Sequence, residues 1–266
     1  WFAHPLLILV AGLFAFPLFW MVASSLKLPE ELATHPYRLW PEQVAFGNYQ
    51  DAIGAMPFWR YLLNTVVLCA GSVCGTVLSS ALVAYGLAKV RWPLRQVVFA
   101  IVLATMLLPW HATMIPRFLL LRELGLYNSL AALIVPTFLG DAFSIFLLRQ
   151  FFLTLPDELS EAARLDGLSD WGIFWKIVLP LSKPALIAVG LFQLIAVWND
   201  FGGPLLYLSD PQKFPLAYGL ERFVSAYSDQ THLLLAAATL FTLPILLVFL
   251  LTQRFFVEGV KLTGMK

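Results

Sequence analysis

The sequence predicts an all-α integral membrane protein with six transmembrane helices and one charged helical hairpin between the fourth and the fifth. Of the 266 residues, 60% are hydrophobic and 12% charged, against about 25% charged in soluble domains, which leaves too few charges to coat a water-facing surface. Mean hydropathy is +0.79. Several apolar runs reach the roughly 20 residues that a helix needs to cross about 30 Å of hydrocarbon. They lack the alternation of barrel strands, and a helix satisfies its backbone amides within its own segment, as lipid demands.

The predicted spans are 4–26, 62–88, 96–116, 129–148, 184–207 and 232–257. Prolines 109, 136, 204 and 244 fall within or beside these runs and are expected to kink or end helices. In the second span Gly71, Gly75 and Ser79 recur every four residues, a small-residue stripe that predicts close helix packing. Cys69 and Cys74 lie about 140° apart around the same helix and read as buried small residues, neither a disulfide nor a metal pair. The chain opens on Trp1 without an initiator Met, so a short basic segment is expected ahead of it, and nothing reads as a cleavable signal.

Lys and Arg in the loops set the orientation. Six spans put both ends on one side, together with Lys89, Arg91, Arg95, Arg149, Arg164, Lys176, Lys183, Arg254, Lys261 and Lys266. The other side holds Lys27, Arg38, Arg60, Arg117, Arg122, Lys213 and Arg222. The compact, acid-free "KVRWPLR" decides the vote, so both termini and the 149–183 insert are placed in the cytoplasm. A net charge of +1 offers no electrostatic case for nucleic acid.

The insert divides into two short helices. Pro156, Asp157 and Glu158 suit a helix start, and Gly167 is the natural stop, with a left-handed turn expected there. Leu155, Leu159, Ala162 and Ala163 share one face of the first helix. Ser169 or Asp170 caps a second helix whose Phe174, Ile177 and Val178 form the apolar side before Pro180 breaks it. Such a hairpin lies on the membrane surface.

The spacing of Glu161, Ala162, Ala163, then Gly167, then Ile177, Leu179 and Pro180 resembles the coupling-loop signature of permease subunits of ATP-binding-cassette (ABC) importers. "FWRYLLNT", "AYGLAKVRWPLR", "FLLRQFFLTLP", "LPLSKPAL" and "VWNDF" are similar to the carbohydrate, maltose-permease-like branch, whereas "GVKLTGMK" is only roughly similar to the family's tails. The resemblance implies a type I ABC importer permease fold over 1–266, with 150–183 as a cytoplasmic coupling loop. It implies ATPase coupling through the signature residues, with Asp166 beside them. The implied partners are a second homologous permease, two cytoplasmic ATPases that bind ATP and Mg, an extracytoplasmic solute-binding protein and the lipid of a bacterial or archaeal cytoplasmic membrane. No cofactor, metal or catalytic residue is implied for this chain. Independently, the sequence has no G-x-x-x-x-G-K-[ST] phosphate loop, so the motor is another chain.

Small alanines keep a helix face low for close approach, and Glu161 offers one directed charge across an interface, with an internal pair to Arg164 as its alternative role. Polar groups inside spans cost roughly 2.5–3.5 kcal/mol for an Asp at a helix centre, which marks them as candidates. Asp141 is expected near mid-bilayer in the fourth span, and Gln193, Trp198, Asn199 and Asp200 in the fifth. Amides and carboxylates beside aromatic faces suit a neutral, hydroxyl-rich solute such as a sugar. Asn199 and Asp200 have a second reading, a helix break before Gly202-Gly203-Pro204. The extramembrane aromatics Tyr37, Trp40, Tyr49, Trp59 and Tyr227 read as interface anchors or as a landing area for the binding protein.

Glycerol phosphate or a polyol is the alternative cargo. A phosphate would favour Arg or Lys on the pathway, and the middle of the predicted spans has none. An ion-coupled secondary transporter is the rival class. An intramembrane enzyme is disfavoured, because the spans hold no H-E-x-x-H, no G-x-S-x-G and no close carboxylate pair.

Overall fold

A computed structural model describes the backbone of residues 3–226 and 230–264 and the side chains of 4–226 and 230–253. Among the described residues all regular structure is helical. Four helical segments are long and apolar enough to cross a membrane: His4–Ser25, Phe58–Ala88, Ala131–Thr154 and Thr231–Gln253. Two further candidates are bent pairs, which bring the number to six only if each pair counts as one span.

The elements, in order, begin with α1 (Ala3–Ser25), α2 (Pro29–Thr34), α3 (Gly47–Gly54) and α4 (Phe58–Ala88). The third predicted span is not one rod. It splits into α5 (Arg95–Thr105) and α6 (Trp110–Glu123), bent by 99°. Pro109 is the N-cap of α6 with extended backbone, because a proline has no N–H to continue a helix and its ring keeps the preceding residue out of helical conformation. The fourth is also interrupted, as α7 (Ala131–Ile134), a tight 3₁₀ turn Val135–Leu139, and α8 (Ala142–Thr154), with Gly140 at φ 93° in the break.

The hairpin comprises α9 (Asp157–Leu165), α10 (Asp170–Ile173), a π-helical turn Phe174–Val178 and α11 (Leu179–Leu181). Pro180 does not break this helix as expected. The wide π turn precedes it, Pro180 sits in the first turn of α11, where its missing N–H costs nothing, and the chain bends only at Ser182. The fifth predicted span is the continuous α12 (Lys183–Trp198), then a break at 199–201 and the short α13 (Gly202–Tyr207). α14 (Leu216–Ala226) and α15 (Thr231–Gly264) complete the chain, and Pro244 lies inside α15 without ending it.

The chain divides into two compact units, Trp1–Leu63 with Pro215–Leu247, and Asn64–Phe214 with Val248–Lys266. In the first, the segment after α1 is ordered by a buried polar knot. Lys27 is fully buried and its ammonium donates to the carbonyl of Arg38 at 2.5 Å. Asn48 donates to the carbonyls of Ser25 and Lys27, both at 2.8 Å. Tyr49 is hydrogen-bonded to Ser25 at 2.6 Å and is therefore part of this knot, whereas Tyr37, Trp40 and Trp59 are exposed. Tyr227 lies outside the described residues.

In the second unit the small-residue stripe packs as predicted. A Cβ on Gly71 would come within 2.9 Å of Ile134, and one on Gly75 would overlap Thr137 and Phe138. Ser79 donates to the carbonyl of Thr137 at 3.1 Å. Cys69 is buried, but Cys74 is exposed, which corrects the expectation that both are core residues.

Candidate functional site

Two features of the second unit gather the predicted functional residues, the hairpin and a cavity. At the hairpin, α9 ends in a Schellman turn: the Leu168 amide donates to Ala163 at 2.9 Å and the Gly167 amide to Arg164 at 3.0 Å. Gly167 adopts φ 83°, the left-handed conformation that the sequence predicts. Ser169 caps α10 by accepting from the Gly172 amide at 3.3 Å.

Ile173, Phe174 and Val178 are buried in one core with Tyr85, Leu148, Phe152, Ala163 and Val189, so the hairpin is docked on the helical core through its apolar side. Two residues outside the signature, Tyr85 and Lys89, hold it. Tyr85 packs its ring 5.2 Å from that of Phe174 and donates its hydroxyl to the Asp170 carbonyl at 3.1 Å. Lys89, its side chain buried, donates to the Leu155 carbonyl and to Asp157, each at 2.6 Å. That ammonium holds the Asp157 carboxyl below the usual carboxylate range. The tie is therefore present above the unfolded carboxylate pKa of ~3.9 and is lost as pH falls through the lowered folded value.

The expected shared face of α9 divides. Ala163 is buried, whereas Leu159, Ala162 and Leu165 are exposed, Leu165 at 89%. Ala163 therefore serves the chain's own core and not a partner's approach. Ile177 and Leu179 are half-buried against the same core, and Glu161, Asp166 and Pro180 are exposed. Arg164 pairs with Asp170 at 2.8 Å rather than with Glu161, and this hydrogen bond holds its guanidinium more firmly protonated than usual. Glu161 instead borders a cleft of about 190 Å³ with Lys89, Arg91 and Arg95. Arg149, expected in the loop, is buried in α8, its guanidinium 4.0 Å over the Phe99 ring. The side chains of Arg254 and Lys261, and all of Lys266, lie outside the described residues, as does the side-chain detail of the "GVKLTGMK" tail.

The second feature is a cavity of about 500 Å³. Of the five predicted pathway residues, Asp141, Gln193 and Asp200 line it. Trp198 is buried, and Asn199 donates to the Ile195 carbonyl at 2.8 Å, which closes the end of α12; neither lines the cavity. Asp141 is not in mid-helix but is the N-cap of α8, accepting from the Ser144 amide at 2.8 Å and the Ser144 hydroxyl at 2.7 Å. Asp200 likewise caps α13, accepting from the Gly203 amide at 3.0 Å. Asp200 therefore marks the helix break, and it also lines the cavity.

Trp110, Arg117 and Tyr207 also line the cavity and were not legible as site residues. α6 brings the first two there only because the chain bends at Pro109. The available signal was an Arg within an apolar stretch just past two prolines. Arg117 stands one residue past the predicted third span, so the absence of Arg and Lys from the middle of the spans did not reveal that a guanidinium lines this cavity.

If the Asp141 charge contributes to the path, Asp141→Asn should leave α8 capped, since an Asn oxygen accepts the same amide bond. Uptake at limiting solute should then fall roughly tenfold, the scale of one lost charged hydrogen bond. Unchanged initial uptake rates would leave Asp141 a helix cap and nothing more.

Comparison with known proteins gives a consistent picture. The chain is 33% identical over 257 residues to the arabinooligosaccharides transport system permease protein AraQ of Bacillus subtilis (strain 168), covering 96% of this chain and 91% of that one. It is 35% identical over 266 residues to the sn-glycerol-3-phosphate transport system permease protein UgpE of Pectobacterium atrosepticum, covering 97% and 94%. A chain in the crystal structure of a bacterial ABC transporter involved in the import of the acidic polysaccharide alginate superposes with a TM-score of 0.83 at 28% identity, covering 96% of this chain and 95% of that one. Residues 71–262 match the family model described as the binding-protein-dependent transport system inner membrane component, and with most of its length so matched the chain belongs to that family.

Proposed function

We propose that this chain is one of two permease halves of an ATP-driven importer for a carbohydrate-class solute, and that the hairpin couples ATPase closure to opening and closing of the path. Family membership makes it a membrane permease component, with ATP hydrolysed by separate subunits. The observation that carries the coupling role is the hairpin itself. The Glu161–Pro180 signature is docked on the helical core through Ala163, Phe174, Ile177 and Val178, while Glu161, Ala162 and Leu165 are left exposed. A lever needs those two sides, one bonded to what must move and one free for what pushes.

In this reading each bent pair is one broken span, so six spans cross a bacterial or archaeal cytoplasmic membrane with both termini and the hairpin in the cytoplasm. The whole chain works as one permease domain, with 150–183 as its coupling loop. A second, homologous permease completes the path, lipid surrounds both, and two cytoplasmic ATPases bind ATP and Mg. Solute delivered by an extracytoplasmic binding protein enters an outward-facing cavity when the ATPases close, and hydrolysis resets the path inward. The hydroxyl-rich cargo is supported by the carboxylates and Gln193 beside Trp110 and Tyr207 on the cavity wall. It is supported also by the relative named for arabinooligosaccharides.

The decisive experiment is reconstitution of the chain with its partner subunits in proteoliposomes. Uptake is expected only with ATP and loaded binding protein together. Accumulation driven by an ion gradient without ATP would make the chain a secondary transporter instead.

A further inference from the structure

We propose that Arg117 reads an anionic group, a carboxylate or a phosphate, on the solute that passes through the 500 Å³ cavity. This deepens the importer reading and rests on it. Three formally charged side chains line that cavity, Asp141, Asp200 and Arg117. The two carboxylates are already engaged by the protein. Asp141 holds the first turn of α8 through Ser144, and Asp200 holds that of α13 through Gly203. Arg117 has no hydrogen bond or ion pair among the described residues, although it stands within electrostatic reach of Tyr207 on the same wall.

An engaged carboxylate keeps lone pairs for solute hydroxyls, because each oxygen accepts more than one bond. A guanidinium without a partner is different: it presents five donors in a planar fork and no acceptor, a geometry that matches a carboxylate or phosphate through two parallel bonds. The cavity thus combines acceptors for hydroxyls, the aromatic faces of Trp110 and Tyr207 for the apolar side of a ring, and one fork for an anion. A purely neutral solute would leave that fork unused at the wall of the path. The cargo this arrangement fits is a polyhydroxylated solute with an acidic group, an acid-bearing oligosaccharide or a small phosphorylated polyol.

The test uses the complete transporter in proteoliposomes with ATP and loaded binding protein, and three probes: a neutral oligosaccharide, a uronate-containing oligosaccharide of the same length, and glycerol phosphate. The wild type is expected to import at least one anionic probe, and which one distinguishes carboxylate from phosphate. Arg117→Gln should lower uptake of that probe tenfold or more at limiting concentration. Arg117→Lys, a point charge without the fork, should fall between. The complex should be recovered with its partner subunits in all cases. If Arg117→Gln does not assemble, Arg117→Met, which keeps the length of the stem, carries the same comparison. The inference is overturned if the wild type imports the neutral probe and neither anion, or if loss of the guanidinium leaves anion uptake at the wild-type level, the result for an arginine that only reaches toward lipid headgroups. If no probe of either charge accumulates with ATP, the carbohydrate importer reading itself falls.

Discussion

Gly167→Val should abolish solute uptake while the protein remains inserted and bound to its partners. Gly167 adopts φ 83° with open space where a Cβ would stand, so the substitution meets no steric neighbour and its whole cost is conformational. A left-handed residue costs an L side chain roughly 1–2 kcal/mol, and a β-branched one more. The cheapest escape is to unwind the Schellman turn, which would release the Leu168 and Gly167 amides from Ala163 and Arg164. That shifts α9 relative to α10, the two halves of the proposed lever, while the spans, held by lipid-facing apolarity and helix packing, are untouched. Asn at the same position should retain more transport, since it tolerates the left-handed region. Glu161→Lys should give the same phenotype by a different route. The exposed carboxylate makes no hydrogen bond or ion pair among the described residues, so charge reversal should spare the fold and uncouple ATP hydrolysis from loaded binding protein. Full uptake and full ATPase stimulation in both variants would remove the coupling role from the hairpin.

The second large effect is structural. Gly75→Leu should sharply reduce the yield of folded protein in detergent, and lower the melting temperature of what remains. Even a Cβ there would overlap Thr137 and come within 2.7 Å of Phe138, and overpacking a fitted contact typically costs 1–3 kcal/mol. The segment displaced, 135–139, carries Pro136 and Thr137 of the cavity wall, so surviving protein should also transport poorly. Gly71→Leu should be milder, because the nearest atoms of Ile134 stand 2.9 Å from the added Cβ, farther than Thr137 and Phe138 stand from one at Gly75. Gly12→Leu in α1, where nothing lies within 4 Å, is the control. Equal thermal stability of the Gly75 and Gly12 variants would show that the stripe is not a packing seam.

Much of this was legible in the residues. Gly71, Gly75 and Ser79 announce a close approach because only small side chains at that period let another backbone reach a helix. Gly167 announces its turn because a glycine after a charged, amphipathic stretch is the least costly left-handed stop. The interior of the predicted spans is less legible in the residues. Asp141 looked like a charge in the middle of a helix, and it is a cap at a break. The expected rod at 96–116 is two helices at a sharp angle, with Trp110 and Arg117 carried to the cavity on the second. Lys89 counted only as a topology vote, yet its buried ammonium ties the start of the hairpin to the end of α4.

The sequence by itself determined that the chain lives in a membrane, that it is helical, where the hairpin turns and to which family the spacing of its signature points. Those properties depend on hydrocarbon transfer and on backbone preferences, which act over a few residues and so are written in runs and spacings. The tertiary structure alone decided which runs are broken, which signature residues face inward, and which side chains meet at the cavity. Arg117, Asp141 and the pair Gln193 and Asp200 come from three separate stretches of chain. What brings them to one wall is long-range packing, which no local period records.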